Sequence, residues 1–156
     1  MMDKIVKLSL DERTIIRRSP EIEHERAIAL FDLLEENQFS PQGECYSGPY
    51  DVQFGIAENR LIFAIRSEAG IAQGTVILPL SPFRRIVRDY FLVCESYYEA
   101  IKTATPSQIE AIDMGRRALH DEGSQLLREL LEAKIAIDFP TSRRLFTLLC
   151  ILHIRG

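Results

Sequence analysis

The sequence predicts an α+β fold, a small antiparallel β-sheet of about four strands covered on one face by three to five helices. Apolar residues recur with a period of two in the first half of the chain and with a period near 3.6 after residue 81. The predicted order is strand, helix, strands and then helices. No repeat, low-complexity tract or long linker divides the 156 residues, so we expect 1–156 to form a single domain.

The first two elements are predicted from local patterns. Lys4–Leu10 alternates apolar and polar residues, as a half-buried strand does. Ser19 followed by Pro20 predicts a helix start, because serine is a favoured N-cap and proline is favoured at the first helical position. An apolar stripe is expected to face the core, formed by His24, Ile28, Phe31 and Leu34. The helix is expected to end near Asn37, and the prolines and glycines of Gln38–Pro49 predict a loop.

A β-hairpin follows, and its register can be predicted. With a two-residue turn at Glu58-Asn59, residues whose numbers sum to 117 face each other. This register places bulky apolar side chains opposite one another, in the pairs Ile56–Leu61, Phe54–Phe63 and Val52–Ile65. On the other face it pairs Asp51 with Arg66, an acid with a base. Glu-Asn is a weaker turn signal than Asn-Gly, which leaves a longer loop as the alternative.

Helices dominate the second half, after one more expected strand at Thr75–Leu80. A long helix is predicted from apolar residues at helical spacing, namely Phe83, Ile86, Val87, Tyr90, Cys94, Tyr97 and Ile101. Thr105–Gln108 predicts a new helix that begins with a capping box. Gly123-Ser124 is expected to break that helix. A short strand at Lys134–Asp138 and a deeply packed apolar helix are expected to follow.

Composition excludes several classes of protein. The net charge of −4 argues against generic nucleic-acid binding, which needs a basic surface. Cys45, Cys94 and Cys150 are odd in number and far apart, which favours free, buried thiols in a reducing compartment. Met1–Leu10 has no signal-peptide pattern, and the apolar stretch Leu145–Ile154 is too short to span a bilayer. We therefore expect a cytoplasmic protein without a membrane segment, a metal or a cofactor.

Two predicted helices begin with paired arginines, Arg84-Arg85 and Arg143-Arg144. A helix N-terminus carries about half a positive charge, so each cation there costs about 0.3–1 kcal/mol. Arginine also outnumbers lysine fifteen to four, and its planar fork suits carboxylate and phosphate. One interpretation is that these side chains hold a small anion or an acidic partner protein. The other is that nearby acids of the same chain pair with them.

A third pair, Arg116-Arg117, lies in the polar string Glu110–Gly123 and is a further candidate for the anion site. Four polar residues share one side of the predicted helix: Glu110, Asp113, Arg117 and His120. A histidine near carboxylates can act as a general base, so His120, Asp113 and Glu110 are weak catalytic candidates. The competing interpretation is an exposed ladder of ion pairs. Gly115 costs about 1 kcal/mol in a helix, which suggests a close approach by another group.

Three functions are compatible with these patterns. The favoured one is a non-enzymatic protein that binds a phosphate, a carboxylate or an acidic protein through Arg84, Arg85, Arg116, Arg117, Arg143 and Arg144. The second is a structural or regulatory homodimer subunit, whose interface is an apolar helix face that carries tyrosines. The third is a hydrolase that uses His120 with Asp113 or Glu110.

Several strings of the chain are specific enough to suggest a family. They are Ser19–Glu25, Ser81–Arg85, Asp89–Phe91, Ile109–Arg117 and Arg143–Leu148. In these strings, which are spread over almost the whole chain, the sequence resembles the bacterial uncharacterised protein family (UPF) 0262. The resemblance implies a bacterial, single-domain, cytosolic protein. It implies no reaction, no cofactor and no catalytic residue.

Overall fold

The computed structural model describes residues 2–11 and 19–153, and within them six strands and four α-helices form the fold. The strands are β1 (Ile5–Asp11), β2 (Phe39–Pro41), β3 (Tyr50–Ala57), β4 (Arg60–Ser67), β5 (Ala72–Pro79) and β6 (Ile135–Ile137). The helices are α1 (Pro20–Glu35), α2 (Arg84–Thr103), α3 (Pro106–Leu131) and α4 (Phe139–His153). β1, β3, β4 and β5 form one sheet in that order, and β2 pairs with β6. The predicted α+β class is confirmed.

The β3–β4 hairpin has the predicted register throughout. Val52 lies opposite Ile65, and the rings of Phe54 and Phe63 stack with their centroids 4.7 Å apart. Glu58 and Asn59 both have positive φ, 53° and 60°, as the two central residues of a type I′ turn require. The two-residue turn is therefore confirmed, although glutamate is an uncommon residue at such a φ.

The sheet is mixed rather than antiparallel, which corrects one part of the prediction. β1 runs parallel to β3, with Leu8 opposite Val52 and Leu10 opposite Phe54. The chain between these strands contains α1, and a helical crossover returns the next strand in the same direction. The alternation that predicted the strand at Lys4–Leu10 carries no information on the direction of its neighbour.

The predicted loop Gln38–Pro49 contains a strand, β2, and this part of the prediction is wrong. Phe39–Pro41 pairs with Ile135–Ile137, the short strand that was predicted near the end of the chain. A three-residue strand has too few positions to show a period of two. Its pairing depends on a partner almost one hundred residues away, so local patterns could not reveal it.

The start of α1 is as predicted, but its buried side is not. The Ser19 side chain accepts a hydrogen bond from the Ile22 backbone N–H, which confirms the N-cap. The expected core stripe is exposed instead, at His24, Ile28, Phe31 and Leu34. The helix buries Ala29 and Leu33, and it packs against α4. α1 is thus rotated about its axis relative to the prediction, with Ala29 and Leu33 on its buried side.

The second half is close to the prediction with two exceptions. Phe83 is buried at the end of a 3₁₀ turn that leads into α2, and Thr105 and Gln108 form the predicted capping box of α3. One exception is Ile101, which was predicted on the buried side of α2 but is 52% exposed. The other is Gly123-Ser124, where α3 continues without a break. A Cβ at position 123 would overlap with the ring of Phe146 of α4. The glycine therefore allows two helices to pack closely, and it does not end a helix.

α4 is the central helix of the packing. It contacts α1, α3 and β3, and most of its side chains are buried, as predicted. The apolar stretch Leu145–Ile154 belongs to α4 as far as His153, and Ile154 lies outside the described residues.

Cys94 and Cys150 are free and buried as expected, whereas Cys45 is free and exposed. Among the described residues, no helix is both long and apolar enough to cross a membrane.

Candidate functional site

Residues of all four helices line an open cavity of about 520 Å³, which we call the arginine cavity. It is lined by Glu25, Ile28, Ala29 and Asp32 of α1, Tyr90 of α2, Arg116, Arg117 and His120 of α3, and Pro140, Arg143, Arg144 and Thr147 of α4. Four of the six predicted anion-binding arginines therefore line one space. They outnumber the two acids of the lining, so the charged side chains of the cavity wall have an excess of positive charge.

Close packing of α3 on α4 brings these two arginine pairs together. The ring of Phe146 occupies the space that Gly123 leaves open, and both residues are buried. Arg143 and Arg144 lie in the second turn of α4, because the helix begins at Phe139. The predicted position in the first turn is therefore wrong for this pair, and the helix dipole opposes these cations only weakly. Asp138 accepts a hydrogen bond from the Thr141 N–H at the start of α4, 3.0 Å away.

Arg116 is held by groups of the protein itself. Its Nε and Nη2 donate to one carboxylate oxygen of Asp113, at 3.1 and 2.6 Å, and Glu25 lies 3.7 Å from Nη1. Its guanidinium also covers the ring of Tyr97, 4.2 Å from the centroid. Burial lowers the pKa of Arg116, but the hydrogen bond to Asp113, together with electrostatic interactions with Tyr90, Asp113 and Cys94, outweighs it, and the net shift is upward. Arg116 therefore supports the cavity wall and has little capacity left for a ligand.

The guanidinium groups of the other three arginines of the cavity have fewer partners within the protein. Arg117 forms an ion pair through Nε with Asp113 Oδ2, 3.1 Å away, and its side chain is 59% exposed. Arg143 pairs through Nη1 with Asp121, and Arg144 donates from Nη1 to the Glu36 carbonyl oxygen at 3.0 Å. Each guanidinium has five N–H donors, so these contacts leave donors for a further acceptor. Such donors suit a carboxylate or phosphate, which can accept two N–H bonds from one arginine.

The arginine pair that begins α2 does not line this cavity. Arg84 and Arg85 are its first two residues, as predicted, and both are exposed. Arg85 pairs with Asp89 of the same helix and with Glu122 of α3, both at 3.3 Å. The alternative interpretation, pairing with nearby acids, describes the contacts of Arg85.

His120 forms part of the cavity wall and is only 8% exposed. Its Nε2 lies 2.7 Å from Thr147 Oγ1, and Thr147 donates its own hydrogen to the Arg143 carbonyl oxygen at 3.2 Å. His120 Nε2 and Thr147 Oγ1 are therefore hydrogen-bonded to each other, and Ser124 Oγ lies 3.5 Å from Nδ1 of the same ring. Burial, together with the charges of Arg143 and Arg116, lowers the pKa of His120 to about 4. The imidazole is therefore neutral near pH 7.

The carboxylates that were expected beside His120 have other positions. Asp113 contacts Arg116 and Arg117, and hydrogen bonding from Arg116 lowers the pKa of its carboxyl. Glu110 is exposed and does not line the cavity. Gly115 is not closely approached either: a Cβ there would meet Val93 Cγ2 at 4.0 Å, an ordinary contact. Within residues 2–11 and 19–153, no group of three or more His, Cys, Asp or Glu is arranged to hold a metal ion.

Several residues of the wall were not predicted from the sequence. Glu25 and Asp32 come from α1, Tyr90 from α2, and Thr147 from α4. Glu25 also accepts a hydrogen bond from Tyr98 Oη at 2.7 Å, which fixes α1 against α2. Thr147 lies four residues after Arg143, one helical turn away, which is a signal that could have placed it on the same side.

Comparison with known proteins identifies relatives along the whole chain. A UPF0262 protein of Bradyrhizobium sp. (strain ORS 278) is 58% identical over 154 residues, which cover 99% of this chain and 92% of the relative. A UPF0262 protein of Brucella anthropi is 60% identical over 153 residues, covering 98% of this chain and 95% of the relative. No solved structure matches the chain. The family described as "Uncharacterised protein family (UPF0262)" matches residues 2–155, and the chain belongs to this family.

Proposed function

We propose that the protein binds a small anionic ligand in the arginine cavity and does not transform it. The single observation that carries this proposal is the convergence of Arg117, Arg143 and Arg144 from two helices on one space of about 520 Å³. That volume lies within the range of about 300–1,000 Å³ that is typical of small-molecule sites. The ligand carries a carboxylate or a phosphate, because both accept paired N–H bonds from guanidinium groups.

The neutral part of the wall is suited to binding rather than to proton transfer. His120 Nε2 is hydrogen-bonded to Thr147 Oγ1 at 2.7 Å, and burial lowers the pKa of the imidazole to about 4, so His120 is a weak base near pH 7. Asp113, its expected catalytic partner, is engaged with two arginines. A hydrolase based on His120, Asp113 and Glu110 therefore has less support than a binding protein. His120 instead orders Thr147 and adds an uncharged polar surface beside the guanidinium groups.

Titration with inorganic phosphate and with acetate, followed by backbone amide shifts in NMR, tests this proposal. We expect saturable shifts in α3 and α4. Arg117→Gln combined with Arg144→Gln is expected to weaken binding at least about tenfold, since hydrogen bonds to charged groups contribute about 1.5–3 kcal/mol. The matched control is Arg84→Gln combined with Arg85→Gln, which removes the same charge from outside the cavity and is expected to change binding less than about twofold.

Two results would overturn the proposal. One is the absence of saturable shifts with phosphate and with every carboxylate tested. The other is equal weakening by the two double variants, which would mean that only the net charge of the protein matters.

A homodimer subunit is a second candidate, favoured by the exposed apolar side of α1. Ile28, Phe31 and Leu34 are 45%, 67% and 38% exposed along one stripe of that helix. The tyrosines of α2 give this candidate less support, because Tyr97 contacts Arg116 and Tyr98 contacts Glu25 within the chain. Light scattering over a range of concentrations tests it. A dimer that Phe31→Glu dissociates supports the candidate, and a monomer at every concentration removes it.

A further inference from the structure

A second cavity of about 470 Å³ adjoins the arginine cavity. Glu25, Tyr90 and Thr147 line both spaces, so the two cavities share part of their walls. The second one, which we call the apolar cavity, lies among α1, α2 and α4. Its inner wall consists mainly of apolar and thiol side chains, Ile22, Phe91, Cys94, Cys150 and Ile151.

The buried titratable side chains of the apolar cavity, Tyr90, Cys94 and Cys150, are uncharged, whereas the half-buried Glu25 of its wall is acidic. Burial raises the pKa of the Cys94 thiol to about 11, and it raises the pKa of Cys150 well above its usual value. The pKa of the Tyr90 phenol is also raised, chiefly by burial. These groups therefore remain protonated and neutral at physiological pH. Such a surface favours hydrocarbon over a charged or strongly hydrated group.

The two cavities differ in the sign of the charges around them. Four acids line the apolar cavity, the exposed Glu21, Glu95 and Glu99 and the half-buried Glu25, with Lys102 as the one base of its lining. The arginine cavity has four arginines and two acids. An anionic group is therefore repelled from the first cavity and attracted to the second, so the charge distribution orients an elongated ligand.

We propose that the ligand is an amphiphilic carboxylate, with its anionic head at Arg117, Arg143 and Arg144 and its hydrocarbon body in the apolar cavity. This inference rests on the proposed function, because it assigns the class of the anion that the arginine cavity holds. Glu25, Tyr90 and Thr147 lie where the two parts of such a ligand would join, since all three line both cavities. The Glu25 carboxylate there accepts a hydrogen bond from Tyr98 and lies 3.7 Å from Arg116 Nη1.

A series of straight-chain carboxylates tests the inference directly. Acetate, butyrate, hexanoate and octanoate are titrated into the full-length protein by calorimetry and NMR, below their micelle concentrations. We expect the affinity to rise about fourfold for each added methylene, which is the effect of burying one such group. Octylamine has the same hydrocarbon body with the opposite charge, and it is expected to bind more weakly than octanoate.

Two matched variants locate the hydrocarbon body. Ile22→Trp fills space in the apolar cavity from a half-buried position on α1, and it is expected to abolish the gain with chain length while leaving acetate binding intact. Leu92→Trp introduces the same side chain at an exposed position of α2 outside both cavities. It is expected to bind octanoate as the wild type does. Circular dichroism checks that both variants are folded.

The outcomes separate this inference from the function on which it rests. If acetate and octanoate bind equally well, or if Ile22→Trp leaves the chain-length gain unchanged, the amphiphilic ligand is overturned and the anion site stands. Tighter binding of octylamine than of octanoate also overturns the inference. If neither phosphate nor any carboxylate binds, or if Arg117→Gln with Arg144→Gln has no effect on octanoate, the anion site itself is wrong.

Discussion

The arginine pair at the start of α2 and the pair in the second turn of α4 differ in their surroundings. Arg85 forms surface ion pairs with Asp89 and Glu122. Arg143 and Arg144 belong to the wall of a cavity that a second arginine pair, on α3, also lines. The local sequences are similar, Ser-Pro-Phe-Arg-Arg and Pro-Thr-Ser-Arg-Arg. In this protein, paired cations near the start of a helix form a candidate site only where another element brings more cations to the same space.

The largest expected effect is on the pH dependence of stability, and it comes from His120. This buried histidine belongs to the cavity wall, whereas α2, which begins with Arg84 and Arg85, contains no histidine in its sequence. Its pKa is about 4 in the folded protein and about 6.5 in an unfolded chain. Between these values the unfolded state binds a proton that the folded state does not. The contribution of the neutral His120 to the free energy of unfolding is therefore fully present above about pH 6.5. Roughly 3 kcal/mol of this stability is lost as the pH falls to about 4.

Urea unfolding of the wild type and of His120→Gln between pH 4 and pH 7.5 measures this effect. The glutamine variant is expected to lose less stability at acid pH than the wild type does. His24→Gln, on the exposed side of α1, serves as the control and is expected to follow the wild type. Identical pH profiles for the wild type and for His120→Gln would show that the imidazole is not held neutral.

The next effect tests the contact that brings the two arginine pairs together. Gly123→Ala places a methyl group against the Phe146 ring, and we expect it to destabilise the protein by about 1–3 kcal/mol in urea unfolding. Gly115→Ala lies on the same helix with only an ordinary contact to Val93, and it is expected to stabilise by up to about 1 kcal/mol. Equal effects of the two substitutions would contradict the role assigned to Gly123.

The smallest effect compares one arginine from each region. Arg116 has a side chain that is 23% exposed and contacts Asp113, Glu25 and Tyr97, so Arg116→Gln is expected to cost about 1–2 kcal/mol. Arg85 is an exposed residue with surface ion pairs, and Arg85→Gln is expected to change stability by no more than about 0.5 kcal/mol. The comparison fails if Arg85→Gln is the more destabilising of the two variants in thermal unfolding.

Local signals predicted much of the fold. The hairpin register follows from opposing side chains that are close in sequence, Phe54 with Phe63 and Asp51 with Arg66. The N-cap Ser19 and the capping box of Thr105 depend on hydrogen bonds within one turn. Such interactions are determined by a few neighbouring residues, so a pattern in the sequence is sufficient to predict them.

The candidate site was predicted in part, by residue type but not by arrangement. Arg116, Arg117, Arg143 and Arg144 were proposed from their pairing, and the cavity contains all four. Arg84 and Arg85 had the same local signal and lie elsewhere. His120 was chosen for its neighbouring carboxylates, whereas its observed partner is Thr147 of another helix. The contribution of α1 was not predicted, because the rotation of that helix depends on its fit to α4.

By itself, the sequence determined the helices, five of the six described strands, the caps and the hairpin pairing of this protein, because these depend on contacts between residues near one another in the chain. Tertiary structure alone decided that β1 runs parallel to β3, that β2 pairs with β6, that α3 continues through Gly123 and that two arginine pairs share one cavity. Each of these features requires a partner from a distant segment. The free energy that stabilises each feature comes from packing between distant elements, and the local sequence pattern of either element does not contain that information.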